Sequence, residues 1–588
     1  MKAYKITTEQ LLYWLAFLLA LVLRLFQLGA APLTDVEAGW ALPALGLAHG
    51  EAPVLTAQPA YILLTSQLFS LFGDTNFMAR FFPALAGSLL VWLPFFLRRW
   101  MRASSWLHRA GVVMAFGLAI DPGLVSLSRQ VGSPMPALVF TLLALACLYN
   151  RHMIGLGVCA GLALLSGPAF LQGLLIIGVS WVLFRLVSRR ISGAQSDEGT
   201  ELLPAEPISN RSIGFALIAL AGTLLVAGTL FLRALPGLGA LADTLPAYLN
   251  TWITSSGIPV LRLPASLLVY QPLVLIFGIV AAVRAWFGMR EKPLVRQGSV
   301  ILSIWVGVAM ILPLLYAGRQ VGDMAWALVL LWALAAVEIS RSLSAEEETS
   351  TRLIAAGLVF PLFVLSVFGW INLISIDRYQ ASALVYWTTL IGVLLVSVIL
   401  VLLVSATWST LPARLGVVWV LCLVLGLQLI SNTINMSIVH QNGAQEMWSR
   451  SPTISQAKQL NATLVDLSNW TTGLRDQLEI VSLVNSPALQ WDLRQFPNAR
   501  SAATLAFSEA PPVVITLKDA EVPSLAEKYR GQDFVWQLYP GWQGVFPPNF
   551  INWLAFRQAP LAQEQIILWA RADIFPGGAS NPAENAAP

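Results

Sequence analysis

Apolar runs separated by short polar breaks fill the first three quarters of the chain. Thirteen of them read as membrane spans, near 11–28, 80–97, 108–126, 134–150, 153–166, 168–187, 213–233, 264–286, 299–317, 323–341, 353–373, 383–405 and 415–435. A helix that crosses a bilayer needs about 20 mainly apolar residues, and most of these runs approach that length. The run 59–73 is shorter and begins at Pro59, which predicts a re-entrant or interfacial helix. Lys2 and Lys5 precede the first run, whose length favours an uncleaved span over a signal peptide.

Near His440 the pattern changes, and no later run reaches span length. Leu478–Val484 and Pro512–Leu517 are β-rich, Pro487–Phe496 has helical periodicity, and Ser524–Tyr529 reads as the start of a further helix. Asp533–Leu538 and Ile566–Arg571 are later strand candidates. Alternating strand and helix predicts a small α/β domain. The fold class is therefore mainly α: a polytopic transmembrane helical bundle of about 13 spans with a C-terminal extracytoplasmic α/β domain. The expected division is 1–439 for the membrane domain, 440–575 for the α/β domain and 576–588 for a disordered tail. Within the first part, 29–79 forms the first outer loop. Ser188–Arg211 and Ser342–Thr351 are polar enough to be linkers.

Composition sharpens this picture. The chain is 57% hydrophobic and 11% charged, against about 25% charged in soluble proteins. A net charge of +4 does not point to nucleic acid, because the basic residues lie mostly in short inter-span loops. Those loops set topology. With a cytoplasmic N-terminus, the inside loops hold Arg98, Arg99, Arg102, Arg109, Arg151, Arg185, Arg189 and Arg190, and later Arg284, Arg290, Lys292, Arg296, Arg341, Arg352 and Arg414. The outside keeps scattered arginines: Arg80, Arg129, Arg233, Arg262, Arg319 and Arg378. An odd number of spans puts the C-terminal domain outside, on the side of the first loop. The expected location is the cytoplasmic membrane, crossed many times. Cys147, Cys159 and Cys422 lie in apolar runs and predict no disulfide, and the four histidines form no motif.

The candidate chemistry sits in the first outer loop, where Asp35 and Glu37 follow a membrane exit. Ionisable residues at that depth are functional candidates by default. A carboxylate within reach of an acceptor hydroxyl can take its proton as the oxygen attacks an activated carbon. If the donor is a sugar on a lipid phosphate, the leaving phosphate needs cations, and arginine pairs with phosphate in a forked geometry. One displacement of this kind inverts the anomeric centre. No cofactor is certain. Asp35 and Glu37 offer oxygen ligands for a divalent cation, but two carboxylates are a weak metal signal. No glycine-rich phosphate loop or nucleotide fold is readable inside, which disfavours a nucleotide-sugar donor.

Three ordered segments carry a resemblance. RLFQLGAAPLTDVEAGWA, AQPAYILLTSQLFSLFGDTNFMARFFPALAG and LAIDPGLVSLSRQ occur in that order between Arg24 and Gln130. Together they resemble the GT-C superfamily of membrane glycosyltransferases, closest to the dolichyl-phosphate-mannose protein mannosyltransferases and the lipid A aminoarabinose transferases. The outer α/β domain resembles that of a subgroup related to N-glycosylation and flippase-associated proteins. The resemblance implies transfer of a sugar from a polyprenyl-phosphate donor to a protein, lipid or glycan acceptor outside the membrane. Asp35 matches the family's catalytic aspartate, the general base. Glu37 falls near the second acid, with Val36 between them where the family writes the two adjacent. Arg129 matches the arginine of the second outer loop, without the acid that often follows it. Gln58-Pro59-Ala60-Tyr61 lacks the lysine of the aminoarabinose transferases, which argues against that substrate class.

The site expected from these readings has Asp35 and Glu37 as catalytic acids and Arg129, Arg319 and Arg80 on the donor phosphate, with no metal assigned. Each has a plainer alternative. Asp35 also reads as an ordinary loop acid beside a helix end, Glu37 as a solvated partner one helical turn from Trp40, Arg129 as a snorkelling anchor, Arg80 as an anchor opening a span, and Arg319 as an ion-pair partner of Asp323. Asp121, before Pro122, reads equally as a helix-boundary residue. Asp377 and Arg378 fit a solvated loop. Trp40, Tyr61, Trp252, Trp370 and Trp387 read as an interfacial aromatic belt. The rival functions are a carrier or flippase-associated protein and a non-catalytic scaffold on the same fold. No internal repeat supports a transporter.

Overall fold

The computed structural model describes residues 7–52, 55, 57–98, 105–192, 209–287, 293–343, 349–374, 383–441, 443–449, 452–506, 509–519 and 527–575. Asp377, Arg378, the tail from 576, most of the first expected linker (193–208) and half of the second (344–348) lie outside the described residues.

The membrane part is helical throughout. α1 (Thr8–Leu25) starts at a capping box in which Thr7 and Gln10 satisfy each other's backbone N–H groups. α2 (Asp35–Ala48), α3 (Pro59–Phe72) and α4 (Asn76–Leu89) follow, with α4 prolonged through short turns to Phe96. α5 (Ser105–Ile120) and α6 (Pro122–Ser128) form one bent unit, broken by 54° at Asp121. The break has a local cause: Pro122 has no N–H to continue the helix, and the Asp121 carboxylate caps α6 by accepting from Leu124 N at 2.9 Å. α7 (Met135–Tyr149), α8 (Met153–Leu164), α9 (Pro168–Ser192), α10 (Asn210–Thr229) and the shorter α11 (Thr244–Ile253) come next. α12 (Arg262–Tyr270) and α13 (Pro272–Phe287) meet at 102°, again at a proline. α14 (Pro293–Leu315), α15 (Ala325–Leu343), α16 (Thr349–Ile374), α17 (Ala383–Thr407) and α18 (Thr410–Ile434) complete the bundle.

Among the described residues nine helices are long and apolar enough to cross a membrane, or up to eleven if each bent pair is one span. The difference from thirteen is local. Every expected segment is helical, but α7 and α8 have 15 and 12 residues, short for a straight crossing. Burial sorts the helices. The segment Val321–Leu343, which contains α15, is 83% buried over its apolar window and forms the bundle's centre, whereas the window of Trp387–Thr407 is 0% buried and packs only in part, through Leu400, Val401 and Val404, against α16 and α18.

The C-terminal part carries a six-stranded sheet in the order β1-β5-β6-β4-β2-β3. The strands are β1 (Thr453–Ile454), β2 (Ile480–Ser482), β3 (Ala499–Ser501), β4 (Val513–Leu517), β5 (Tyr529–Pro540) and β6 (Leu561–Arg571). β2 pairs in parallel with β3 and β4, and the other ladders are antiparallel. Helices α19 (Ala457–Thr472) and α20 (Pro487–Leu493) belong to this unit, as does α21 (Phe550–Phe556). The helix expected to start over Ser524–Tyr529 is corrected at its end: 524–526 lie outside the described residues, and Tyr529 opens β5, paired with Arg571.

The segment between α1 and α4 is not a plain loop. α2 and α3 pack onto the C-terminal unit, and Leu33, Ala41, Tyr61 and Ile62 share one apolar core with Leu489, Trp491 and Trp536. Asp74 joins this seam through Arg494 at 2.9 Å, and Asn76 accepts from Trp491 Nε1 at 2.7 Å.

Candidate functional site

The acids of the first loop take their positions from the start of α2. Thr34 is the N-cap, its hydroxyl accepting from Glu37 N at 3.3 Å while Glu37 Oε2 accepts from Thr34 N at 3.1 Å. Such boxes are usually solvated; this one is buried, with Glu37 only 1% exposed. Arg80 supplies the missing charge. Its Nε donates to Glu37 Oε1 at 2.9 Å and its Nη2 to Oε2 at 2.6 Å, the forked geometry of a guanidinium on a carboxylate. Val131 N adds a third donor at 3.2 Å. Burial pushes the Glu37 carboxyl up, but Arg80 and the backbone donors outweigh it and hold the group below its ordinary value.

The remaining arginine hydrogens go to carbonyls. Arg80 Nη1 donates to Leu28 O and Ala31 O at 3.2 and 2.8 Å, and its Nη2 to Pro32 O at 2.9 Å. Arg129 Nη1 donates to Leu23, Arg24 and Phe26 carbonyls at 3.0, 3.1 and 2.8 Å, closing the C-terminal turn of α1, where carbonyls lack helical partners. Burial, and then the neighbouring Arg80, lower the Arg129 guanidinium to about 10, so it stays charged at neutral pH. Arg80 and Arg129 line a cleft of only about 10 Å³, room for roughly one water and not for a phosphate. Arg80 was expected to open a span. It lies instead inside α4, which starts at Asn76 under a Thr75 cap.

Asp35 points elsewhere. Its Oδ1 accepts from Ser486 Oγ at 2.5 Å and from Ala488 N at 2.9 Å, and its Oδ2 accepts from the Gln537 amide. All three donors belong to the C-terminal unit. Ser486 also caps α20, and a register shift in β5 between Val535 and Gln537 sits beside the glutamine; bulges of this kind re-aim side chains. The Asp35 and Glu37 carboxylates therefore do not converge. Among the described residues no group of three His, Cys, Asp or Glu side chains is arranged to hold a metal.

Asp121 is a boundary residue in this fold: besides capping α6, it accepts from Trp332 Nε1 at 2.8 Å inside the bundle. Tyr61, expected in the aromatic belt, is buried and donates to Ala79 O at 2.9 Å, because α3 is covered by the C-terminal unit. Trp387, by contrast, is 58% exposed.

A second place has room. A cavity of about 290 Å³ lies among the second loop after α6, the start of α9, α11 and the turn between α14 and α15. Trp40 and Trp448 give it aromatic walls, Gln58, Gln130 and Gln172 bring amides, and Asp323 is its one carboxylate. Among the described residues no lysine, arginine or histidine lines it. Asp323 accepts from Gln320 N at 2.7 Å and from the Tyr316 hydroxyl. Burial and then Asp323 push the Tyr316 phenol well above its ordinary value, so it remains a donor. Arg319 sits between two lining residues, Gly318 and Gln320. Its Nη1 donates to Ile258 O at 3.2 Å, while its buried Nε–H meets no acceptor among the described residues.

The sequence reading had singled out Arg319, with Asp323 as its neighbour. It missed Gln130, Gln172 and Tyr316, which are neutral residues in apolar surroundings. Their one signal was a polar side chain at or near a span end.

Comparison with known proteins defines the class. Residues 46–242 match the sequence model of the family described as dolichyl-phosphate-mannose-protein mannosyltransferase. On this match, and on its helical architecture, the chain is a membrane-embedded glycosyltransferase. No curated protein matches the full sequence. Among solved structures, ArnT from Cupriavidus metallidurans bound to undecaprenyl phosphate is similar at 16% identity and a TM-score of 0.46, over 82% of this chain and 84% of that one. The oligosaccharyltransferase of Archaeoglobus fulgidus, tethered to an acceptor peptide, is similar at 14% identity and a TM-score of 0.40, over 85% of this chain and 64% of that one.

Proposed function

We propose that the protein transfers a sugar from a polyprenyl-phosphate donor to an acceptor hydroxyl on the extracytoplasmic side of the membrane, with inversion. The observation that carries this reading is Arg319. Its chain position lies between two residues that line the cavity, its buried Nε–H meets no acceptor among the described residues, and none of the described residues that line the cavity is a cation. A guanidinium so placed suits a leaving phosphate. Arg80 and Arg129, committed to Glu37 and to carbonyls, would hold the first loop and add positive potential without touching the donor.

Asp35 is the proposed general base. It already receives a hydroxyl proton donor, Ser486, in the contact a base makes with an acceptor alcohol. In the reaction the acceptor O–H gives its proton to Asp35 as its oxygen bonds to the anomeric carbon. The bond from that carbon to the phosphate oxygen breaks, and the phosphate leaves with the electron pair. For this the grip of Ser486 and Gln537 on Asp35 must loosen when acceptor binds.

That same grip favours a second reading, a scaffold in which Asp35 only docks the C-terminal unit. The deciding experiment follows release of polyprenyl phosphate from a panel of polyprenyl-phosphate sugars by purified protein in nanodiscs. The transferase reading expects turnover that falls by about 10²–10⁴-fold in Asp35→Asn and survives in Ser486→Ala. Lipid binding without turnover, unchanged in Asp35→Asn, sinks it in favour of the scaffold.

A further inference from the structure

The cavity beside Arg319 has a chemistry of its own. At about 290 Å³ it lies at the lower end of the range, roughly 300–1,000 Å³, of small-molecule pockets. Its wall is mainly apolar but carries polar groups left without partners. Gln130 is 2% exposed, and its amide donates to Ser126 Oγ and Trp448 O, both at 3.1 Å. Its carbonyl oxygen, however, is buried and meets no donor among the described residues. Such a group costs about 1–3 kcal/mol unless something satisfies it. The Ser449 hydroxyl, also on the cavity wall, is buried and meets no partner among the described residues. Gln172, 3% exposed, points its amide at the Tyr316 hydroxyl at 3.4 Å.

The ligand these groups fit is rich in hydroxyls and uncharged. Amides, phenols and a carboxylate offer both donors and acceptors, as alternating hydroxyls require. Flat aromatic walls, Trp40 and Trp448, suit the C–H face of a pyranose. Among the described residues no cation lines the cavity, and Asp323 does, which disfavours holding a phosphate or a carboxylated sugar inside the cavity itself. The arginine stands just outside, on the residue between Gly318 and Gln320.

We infer that this cavity is the subsite for the donor's sugar ring, that it accepts a neutral pyranose, and that Asp323 orients the ring by accepting from its hydroxyls. The inference rests on the lipid-phosphate reading above and deepens it. Asp323 is a positioning residue here, and Asp35 remains the base. A uronic acid in the same place would set one carboxylate against another.

Binding without turnover tests it. Wild type, Asp323→Asn and Gln172→Ala in nanodiscs would be titrated with undecaprenyl phosphate alone, with its mannose, glucose and galactose conjugates, and with a uronic-acid conjugate. The expected result is that at least one neutral conjugate binds wild type tenfold or more tighter than the bare lipid, and that the uronic-acid conjugate gains nothing. Asp323→Asn and Gln172→Ala lose that gain while binding the bare lipid as wild type does, which also shows that they are folded. If no neutral conjugate gains over the bare lipid, or if the gain persists in both variants, the sugar subsite is wrong while the lipid-phosphate reading stands. If the bare lipid and all conjugates fail to bind wild type, the donor reading falls and takes the subsite with it.

Discussion

The acid–arginine cluster of the first loop and the cavity beside Arg319 each set a carboxylate near an arginine and are opposite in state. In the cluster, both Glu37 oxygens have donors, and the guanidinium groups of Arg80 and Arg129 are engaged by Glu37 or by carbonyls. At the cavity, Arg319 Nε, Gln130 Oε1 and the Ser449 hydroxyl are buried and meet no partner among the described residues. A closed network rigidifies a fold, whereas a network left open in a space of ligand size is ready to bind. Charged residues placed near each other in sequence are thus a guide to architecture first. What separates binding from bracing is whether hydrogen-bonding capacity is left over.

The comparison breaks most visibly at Glu37 and Arg80. Removing one partner of a buried ion pair leaves the other uncompensated, at a cost of about 3–5 kcal/mol. Arg80→Ala and Glu37→Ala should each lower the thermal midpoint sharply in detergent, with loss of monodisperse protein. The double change to Leu and Leu should recover much of this, since it leaves no orphan charge. A single variant with wild-type stability and lost donor binding would place Arg80 on the substrate instead. Because the Glu37 carboxyl is lowered in the folded state, its contribution is full above about pH 4.3, the usual value for glutamate, and disappears as pH falls through the depressed one.

Arg319 is the sharper test of the open side. Arg319→Ala should raise the KM for donor by about tenfold or more, because a charge-assisted hydrogen bond to phosphate contributes about 1.5–3 kcal/mol. Arg319→Lys should recover only part, since a lysine keeps the charge and loses the planar fork. Thermal stability should hardly change in either, in contrast to Arg80→Ala. Equal loss of stability and binding would make Arg319 a bracing residue like Arg129.

Much of this architecture was legible because it follows from local pattern. The apolar runs gave helices, and the β-rich segments around Ile480, Val513 and Ile566 gave strands. Pro487 marked the start of a helix that exists. The segments RLFQLG and TDVEAG marked the place where α1, α2, α4 and α6 converge, although not what each side chain does there. That could not be read, because the partners lie far apart in sequence. Asp35 meets Ser486 and Gln537 across more than four hundred residues, and Glu37 finds Arg80 in a helix that begins four residues earlier than the apolar pattern implied. β1 and β3 are two and three residues long and carry no periodic signal. The cavity escaped notice because its walls are neutral amides and aromatics, which look like span ends until the fold brings them together.

The grip on Asp35 offers an intermediate effect. Gln537→Ala removes one of its three donors without touching the carboxylate. Losing one hydrogen bond to a charged, half-buried group should cost about 1–3 kcal/mol of domain docking, read as faster proteolysis at the seam. If that contact restrains Asp35 before acceptor arrives, the KM for acceptor should fall while kcat holds. If Asp35 only docks the domain, activity should decline in step with docking.

The smallest expected effect lies on the same helix that grips Asp35. Asp492 of α20 is mostly buried, and burial, opposed only in part by Arg494, pushes its carboxyl up to about 6. Its neutral form is favoured in the folded state, so the folded protein binds more protons than the unfolded chain between about pH 4 and pH 6. Stability from this group therefore falls as pH rises through that window and levels off above it. Asp492→Asn keeps the shape and removes the titration. It should stabilise the C-terminal unit by about 1–2 kcal/mol at pH 7.5, and by nothing measurable at pH 3.5, where the wild-type carboxyl is already neutral. Thermal melts of both proteins at the two pH values give the answer: a stabilisation that is the same at each pH, or absent at both, would mean that Asp492 shares the satisfied state of Asp35 rather than standing as its unpaired counterpart.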